Sequence, residues 1–439
     1  MAMRLSPQLT VTKGAFYALI LVMGVALASC QNMSVRSSAA GTKPTSTAEV
    51  PAPLPPGYQD WLAQLRIDAH ARGISQATIR TALDDVAPIP RILELDRRQP
   101  EFSQTFWRYF DGALTAKRIA DGQALLAQHA ALLKRIEGQY GVQPRFLVAF
   151  WGMESGYGHD TGGYPVVAAL VTLAFDGRRA DFFRAELFNA LTIIDQGHIA
   201  PSRMIGSWAG AMGQTQFMPS TFLKYAVDED GDGRMDIWAD VPDALASAAR
   251  YLKTLGWDGT KGWGREVKLP ANFDVGLASI DPSASEIVKP LTEWSALGVR
   301  QADGHALPQQ NLMAALVLPA GGEGPAFLVY DNYRAILKWN RSAFYAIAVG
   351  HLADRLIDTP PLQATHRIEE PLRREDIMAF QDGLQRLGYL KDAPDGVVGG
   401  STRQAIRAFQ RAHGLAPDGY ANRAVATAIL AQAGAAPRT

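Results

Sequence analysis

The segment "VQPRFLVAFWGME", opened by Pro144, sets Leu147, Phe150 and Trp151 at i, i+3 and i+4, the spacing of one helix face. Glu154 falls at i+7 on the same stripe, so a carboxylate stands where the pattern asks for a buried side chain. Between Asp60 and Leu255 the same period predicts helices in "QALLAQHAALLKRIEGQYG", "RADFFRAELFNALTIIDQG" and "PDALASAARYLKTLGW". From Val267 to Tyr330 the texture changes to short β-rich pieces. There "NLMAALVLPAGGEGPAFLVY" holds two apolar runs interrupted by Gly and Pro, as in a hairpin. Helix returns at "SAFYAIAVGHLADRL". The expected fold is mainly α (α+β): one helical domain with a small β insertion.

Both ends depart from this pattern. Arg4 and Lys13 precede "GAFYALILVMGVALA", an apolar run too short for a comfortable membrane span, which reads as the core of a signal peptide. It ends in "LASC", which resembles the bacterial lipobox and implies cleavage before Cys30 with lipid attached to that residue. The competing readings are an uncleaved signal anchor and an ordinary cleavage site. Gln31 in place of Asp favours the outer membrane under the Gram-negative lipoprotein rule. The following Ser, Thr, Ala and Pro cannot bury enough apolar surface to fold and read as a tether. Near the other end "IDTPPLQATHRIEEP" is a second linker. Beyond it "APDG" follows both a Leu-Gly-Tyr-Leu and a His-Gly-Leu segment, a weak internal echo within a small three-helix module. The expected division is signal peptide 1–29, tether 30–58, main helical domain 59–357, linker 358–371 and C-terminal module 372–432.

Composition narrows the function. The 439 residues are 47% hydrophobic and 20% charged, as in a soluble globular protein of two or three domains. Lys plus Arg and Asp plus Glu both number 43, so no basic excess holds a nucleic-acid backbone. Cys30 is the only cysteine, so no internal disulfide forms despite an oxidising compartment.

The chemistry centres on Glu154. Burial and the negative end of its helix, if "SGYG" stops that helix, both raise its pKa and keep a proton available near neutral pH. A surface glutamate or one capping a neighbouring amide is the competing reading. The nearest acids, Asp160 and Asp176, lie in Gly-containing stretches. No HExxH spacing or GxSxG elbow is present. A second stretch, "GSWAGAMGQTQFMPSTF", alternates small residues with Ser207, Gln214, Thr215 and Gln216. Such a segment lets a ligand approach the backbone and offers groups matched to sugar hydroxyls, or else packs tightly against its neighbours.

"GMESGYG", "AGAMGQTQFMPSTF", "DEDGDGRMDIW" followed by "ARYLKTLGW", and "YRAILKWNRSAFYAIAV" occur in the order seen in the lytic murein transglycosylase B family, which the chain resembles over roughly residues 59 to 357. "GGSTRQAIRAFQRAHGLAPDG" resembles the peptidoglycan-binding type 1 domain. The resemblance implies a lysozyme-like fold that cuts the β-1,4 bond between N-acetylmuramic acid and N-acetylglucosamine without water, leaving a 1,6-anhydromuramoyl end. It implies Glu154 as acid and then base, with the substrate's acetamido group stabilising the anomeric carbon. It also implies saccharide contacts from Ser207 and Gln216, a cleft tyrosine at Tyr251, and roles for Asn340, Tyr345 and the weaker match Tyr109. Trp339 stands where a tyrosine is common, which would keep a stacking surface and lose a hydroxyl hydrogen bond. The alternatives are a hydrolytic muramidase on the same fold and a non-catalytic wall-binding lipoprotein.

No cofactor is required for this chemistry. In "DEDGDGRMDIWADVPD", however, Asp228, Asp230 and Asp232 occupy positions 1, 3 and 5 of an EF-hand-like loop, with Gly233 at position 6 and the Arg234 carbonyl at position 7. Position 12 is Ala239, so Asp243 is expected to close a structural Ca2+ site, an Asx-rich turn without metal being the alternative. The expected partners are peptidoglycan glycan strands and the outer membrane through the lipid anchor, for a monomer that binds no nucleic acid.

Overall fold

A computed structural model describes residues 54–98, 104–280 and 287–434. The signal peptide, Cys30 and nearly all of the tether lie outside the described residues. Among the described residues no helix is long and apolar enough to cross a membrane.

The helix Pro144–Ser155 begins with proline at its first turn and ends at Gly156, whose φ of 55° is the left-handed conformation of a helix stop. Its burial exceeds the one-faced stripe read from spacing, because every residue from Phe146 to Ser155 is buried. Helices Ala116–Gln128, Ala130–Tyr140, Val241–Thr254 and Ala343–Arg355 pack around it, so it forms the axis of the main core. The sequence carries the reason: no charged residue stands between Arg145 and Glu154, as in a helix covered on all sides.

The segment "QALLAQHAALLKRIEGQYG", expected as one helix, is two. His129, with φ −98° and ψ 15°, closes Ala116–Gln128 and opens Ala130–Tyr140. Both segments pack on the central helix, so the apolar period runs through the break without marking it.

Among the described residues, seven short strands complete the helical domain: β1 (Tyr164–Pro165), β2 (Ile205–Gly206), β3 (Gly264–Lys268), β4 (Lys289–Pro290), β5 (Arg300–Gln301), β6 (Met313–Val317) and β7 (Ala326–Val329). β1 pairs with β2 alone, and the rest form an antiparallel sheet of order β4-β6-β7-β3-β5. The expected hairpin is β6-β7, with Val317 opposite Phe327. Ala315, Val317, Phe327 and Val329 join the main core, while Ala314, Leu316, Ala326 and Leu328 join a separate cluster around Trp294. Two buried faces explain why these strands read as continuous apolar runs.

The C-terminal module packs helices Arg374–Arg386, Gly400–Ala412 and Arg423–Gln432 around Phe380, Leu384, Ile406, Phe409 and Ile429. Its sequence echo is structural. Gln381 accepts from the backbone N–H of Gly396 and donates to Asp395 Oδ1, and Gln410 does the same to Gly419 and Asp418. Each Phe-Gln pair thus fastens one Pro-Asp-Gly turn. The module does not hang free on its linker as the sequence implied. Glu266 accepts from the backbone N–H of Gln363 and Ala364, the His366 ring lies 4.6 Å from Trp107, and Asp418 accepts from Gly322 N at 2.9 Å.

Candidate active site

Glu154 sits in the last turn of the central helix, 8% exposed. Two donors converge on one oxygen: Trp339 Nε1 reaches Glu154 Oε1 at 2.7 Å, and the Tyr345 hydroxyl donates to the same atom. Burial pushes the Glu154 carboxyl up to about 7, and the two donors, which favour the anion, work against that rise. Desolvation wins, and the group holds its proton into the neutral range. The proton belongs on Oε2, because Oε1 already accepts twice. Burial, reinforced by the charge of Glu154, also raises the phenol of Tyr345 well above its ordinary range, so Tyr345 stays a donor.

Trp339, expected to keep a stacking surface and lose a tyrosine's hydrogen bond, is a donor in its own right through its indole N–H. The Trp339 ring packs 4.7 Å from Phe150, 5.1 Å from Tyr251 and 5.5 Å from Phe217, which fixes the direction of that N–H. Tyr251 also lies 4.6 Å from Tyr225, in one aromatic wall. Tyr109 is near enough for the charge of Glu154 to raise its phenol, second to burial.

The other anticipated residues make hydrogen bonds within the framework. Ser207 Oγ accepts from Ala211 N at 3.0 Å, Gln216 donates to Gly213 O at 2.9 Å and Thr161 O at 3.2 Å, and Asn340 Oδ1 accepts from Ser342 N at 3.0 Å. The small residues around them pack tightly: a Cβ at Gly213, whose φ is 64°, would meet Ile237 O at 2.6 Å. The neighbouring Gln214 and Thr215, named from the sequence as possible sugar-binding groups, take different places. Gln214 accepts from Trp151 Nε1 at 2.9 Å while its carbonyl accepts from Ser155 Oγ at 2.7 Å, tying this loop to the end of the acid helix. Thr215 lines a small cavity with Glu154 and Trp339, and its buried hydroxyl has no partner among the described residues. Asp160 accepts from Gly162 N, and Asp176 pairs with Arg97 at 2.8 Å; neither hydrogen-bonds to Glu154.

In the acidic loop, the carboxylates of Asp228, Asp230 and Asp232 offer oxygens within 4.8 Å of one another. Asp243 is not one of them. It is 1% exposed, and its two oxygens accept from Glu229 N and Asp236 N, each at 2.7 Å. Through these two amides its carboxylate clamps the loop to helix Val241–Thr254.

A helical domain with a buried carboxylic acid that stays protonated near neutrality beside an aromatic wall fits an enzyme of lysozyme-like glycan chemistry. The chain belongs to the transglycosylase SLT domain family, which matches residues 57–354, and residues 373–429 match the putative peptidoglycan binding domain. It is 32% identical over 277 residues to membrane-bound lytic murein transglycosylase B of Escherichia coli (strain K12), covering 62% of this chain and 71% of that protein. It is similar to the structure of SltB3 from Pseudomonas aeruginosa in complex with NAG-anhNAM-pentapeptide, with 46% identity and a TM-score of 0.81 over 85% of this chain and 99% of that one. It is also similar to Escherichia coli lytic transglycosylase Slt35 in complex with calcium, with 28% identity and a TM-score of 0.57 over 69% and 93% of the two chains. The protein is a lytic transglycosylase, and neither a hydrolytic muramidase nor a non-catalytic scaffold is favoured.

The site sets a pH dependence. Its acid is present below about pH 7 and is lost above it, so kcat/KM on soluble glycan fragments should fall as pH rises through that value. Trp339→Phe removes one donor that favours the anion, so the falling limb should move to higher pH, whereas Trp339→Tyr should leave it near its original place. A limb unmoved in the Phe variant would mean that the indole N–H has no hold on the Glu154 proton.

Proposed function

We propose that the enzyme cleaves the β-1,4 bond between N-acetylmuramic acid and N-acetylglucosamine in peptidoglycan, with Glu154 as its only protein acid and base. The observation that supports this most is the asymmetry of the carboxyl group: Trp339 and Tyr345 occupy Oε1, which leaves Oε2 to face the scissile bond. Oε2 gives its proton to the bridging oxygen as that bond breaks. The acetamido group of the substrate stabilises the anomeric carbon, so no second protein carboxylate is needed. The carboxylate formed then takes the proton of the C6 hydroxyl, which closes the 1,6-anhydro ring. Digestion of purified sacculi followed by mass spectrometry should give anhydromuropeptides; reducing ends would overturn the reaction class.

Asp228, Asp230, Asp232 and the Arg234 carbonyl form a hard oxygen set that suits Ca2+, which would tie the loop without entering the chemistry. Millimolar calcium should raise the melting temperature, since a ligand that binds only the folded state stabilises it. Calorimetry with neither heat nor a melting shift would leave the loop an Asx-rich turn.

The enzyme is further read as a lipoprotein, lipidated at Cys30 and held at the outer membrane facing the periplasm, with its C-terminal module on the wall as a monomer. The lipobox, Gln31 and the tether support that address. Cys30→Ala should abolish incorporation of labelled palmitate, and retained label would count against the anchor.

A further inference from the structure

A second cleft, of about 560 Å³, opens between the helical domain and the C-terminal module. Gln104, Thr105 and Phe344 form one wall, and Glu370, Arg403 and Tyr420 stand on the other. Its size and its place at a domain junction are those of a ligand pocket. Its polar groups are unevenly partnered. The Tyr420 hydroxyl donates to Glu369 at 2.7 Å. Asp418 is the acid whose charge acts on Arg403, but its oxygens accept from Gly322 N at 2.9 Å, Gln410 Nε2 at 2.8 Å and Tyr420 N at 2.9 Å. The Arg403 guanidinium makes no hydrogen bond or ion pair among the described residues. Burial lowers its pKa, against the opposing pull of Tyr420 and Asp418.

We propose that this cleft binds a free carboxylate of a peptidoglycan peptide stem, anchored on the guanidinium of Arg403. The proposal rests on the peptidoglycan reading above and adds where the stem is held. A guanidinium fork matches a carboxylate with two parallel hydrogen bonds, whereas glycan hydroxyl and acetamido groups are neutral and give no such pair. The cleft is also coupled to the chemistry. Phe344 and Tyr345 are neighbours in the first turn of helix Ala343–Arg355, one lining the cleft and the other donating to Glu154. A stem seated on Arg403 is thereby held against the element that carries a donor to the acid.

The test uses the full chain carrying Glu154→Gln, which prevents turnover, and calorimetry with three probes: NAG-NAM-pentapeptide, the same molecule with its carboxyl groups converted to amides, and peptide-free NAG-NAM. Adding Arg403→Gln should weaken binding of the first probe by about 10- to 150-fold, the effect of one charged hydrogen-bonded contact. Peptide-free NAG-NAM should bind both proteins alike, and Arg403→Lys should recover part of the loss. If Arg403→Gln does not fold, the amidated probe on the parent makes the same measurement and should bind as weakly. Equal affinity of the parent for the free and amidated pentapeptide overturns the proposal. Failure of all three probes to bind the parent would instead remove the peptidoglycan reading on which it rests.

Discussion

Glu154→Gln should reduce the rate of anhydromuropeptide release by at least about 10²- to 10⁴-fold, the range for loss of one general acid, and toward or beyond its upper end because the same residue is also the base. The amide keeps the shape of the carboxyl group and can still accept from Trp339 and Tyr345 through its oxygen. It has no proton to give to a leaving oxygen and no lone pair basic enough to take one. The fold should tolerate the change, because the native group is already neutral over much of the working range. Stability supplies a second readout. The folded carboxyl titrates near 7 and the unfolded one near 4.5, so the unfolded state binds fewer protons between these values and stability falls as pH rises through them. The Gln variant lacks that group, so its stability should decline less over this interval. Substantial anhydro product from the variant would remove Glu154 from its role.

Much of this arrangement was legible because helices leave a period in the sequence. Pro144, the apolar spacing and the glycines after Glu154 are enough to place a carboxylic acid at the buried end of a helix. The partners of that acid were less visible as partners. Trp339 lies 185 residues away, and its value as a donor depends on the ring packing that aims its N–H. Substituting tryptophan for tyrosine reads locally as a lost hydroxyl, and only the fold shows a nitrogen in its place. The break at His129 was hidden because the helices on either side bury their apolar residues against the same neighbour. The docking of the C-terminal module escaped for another reason. Its contacts use Glu266, Asp418 and backbone amides, which form no periodic signal.

Asp243 has a structural partner that spacing along the loop does not reveal. Counting along the loop makes it the last ligand of a calcium site, yet the fold gives its oxygens to Glu229 N and Asp236 N while its own N–H caps back to Asp240 Oδ1 at 2.9 Å. Asp243→Ala should therefore leave two part-buried amides without these acceptors, and lower stability by up to about 1–3 kcal/mol for each. The sign of its pH dependence follows from its environment. Burial, helped by Asp240 and Asp230, pushes the Asp243 carboxyl up to about 6, above the ordinary 3.8, against the pull of the two amides. The folded state thus holds a proton that the unfolded state has released, and this group's contribution to stability declines as pH rises from about 4 to about 6. In the Ala variant that decline should be absent. The decisive comparison is denaturant unfolding of both proteins in chelator and in millimolar calcium. A clamp predicts a large loss already in chelator, whereas a residue whose only task is to bind metal would show its loss in calcium alone.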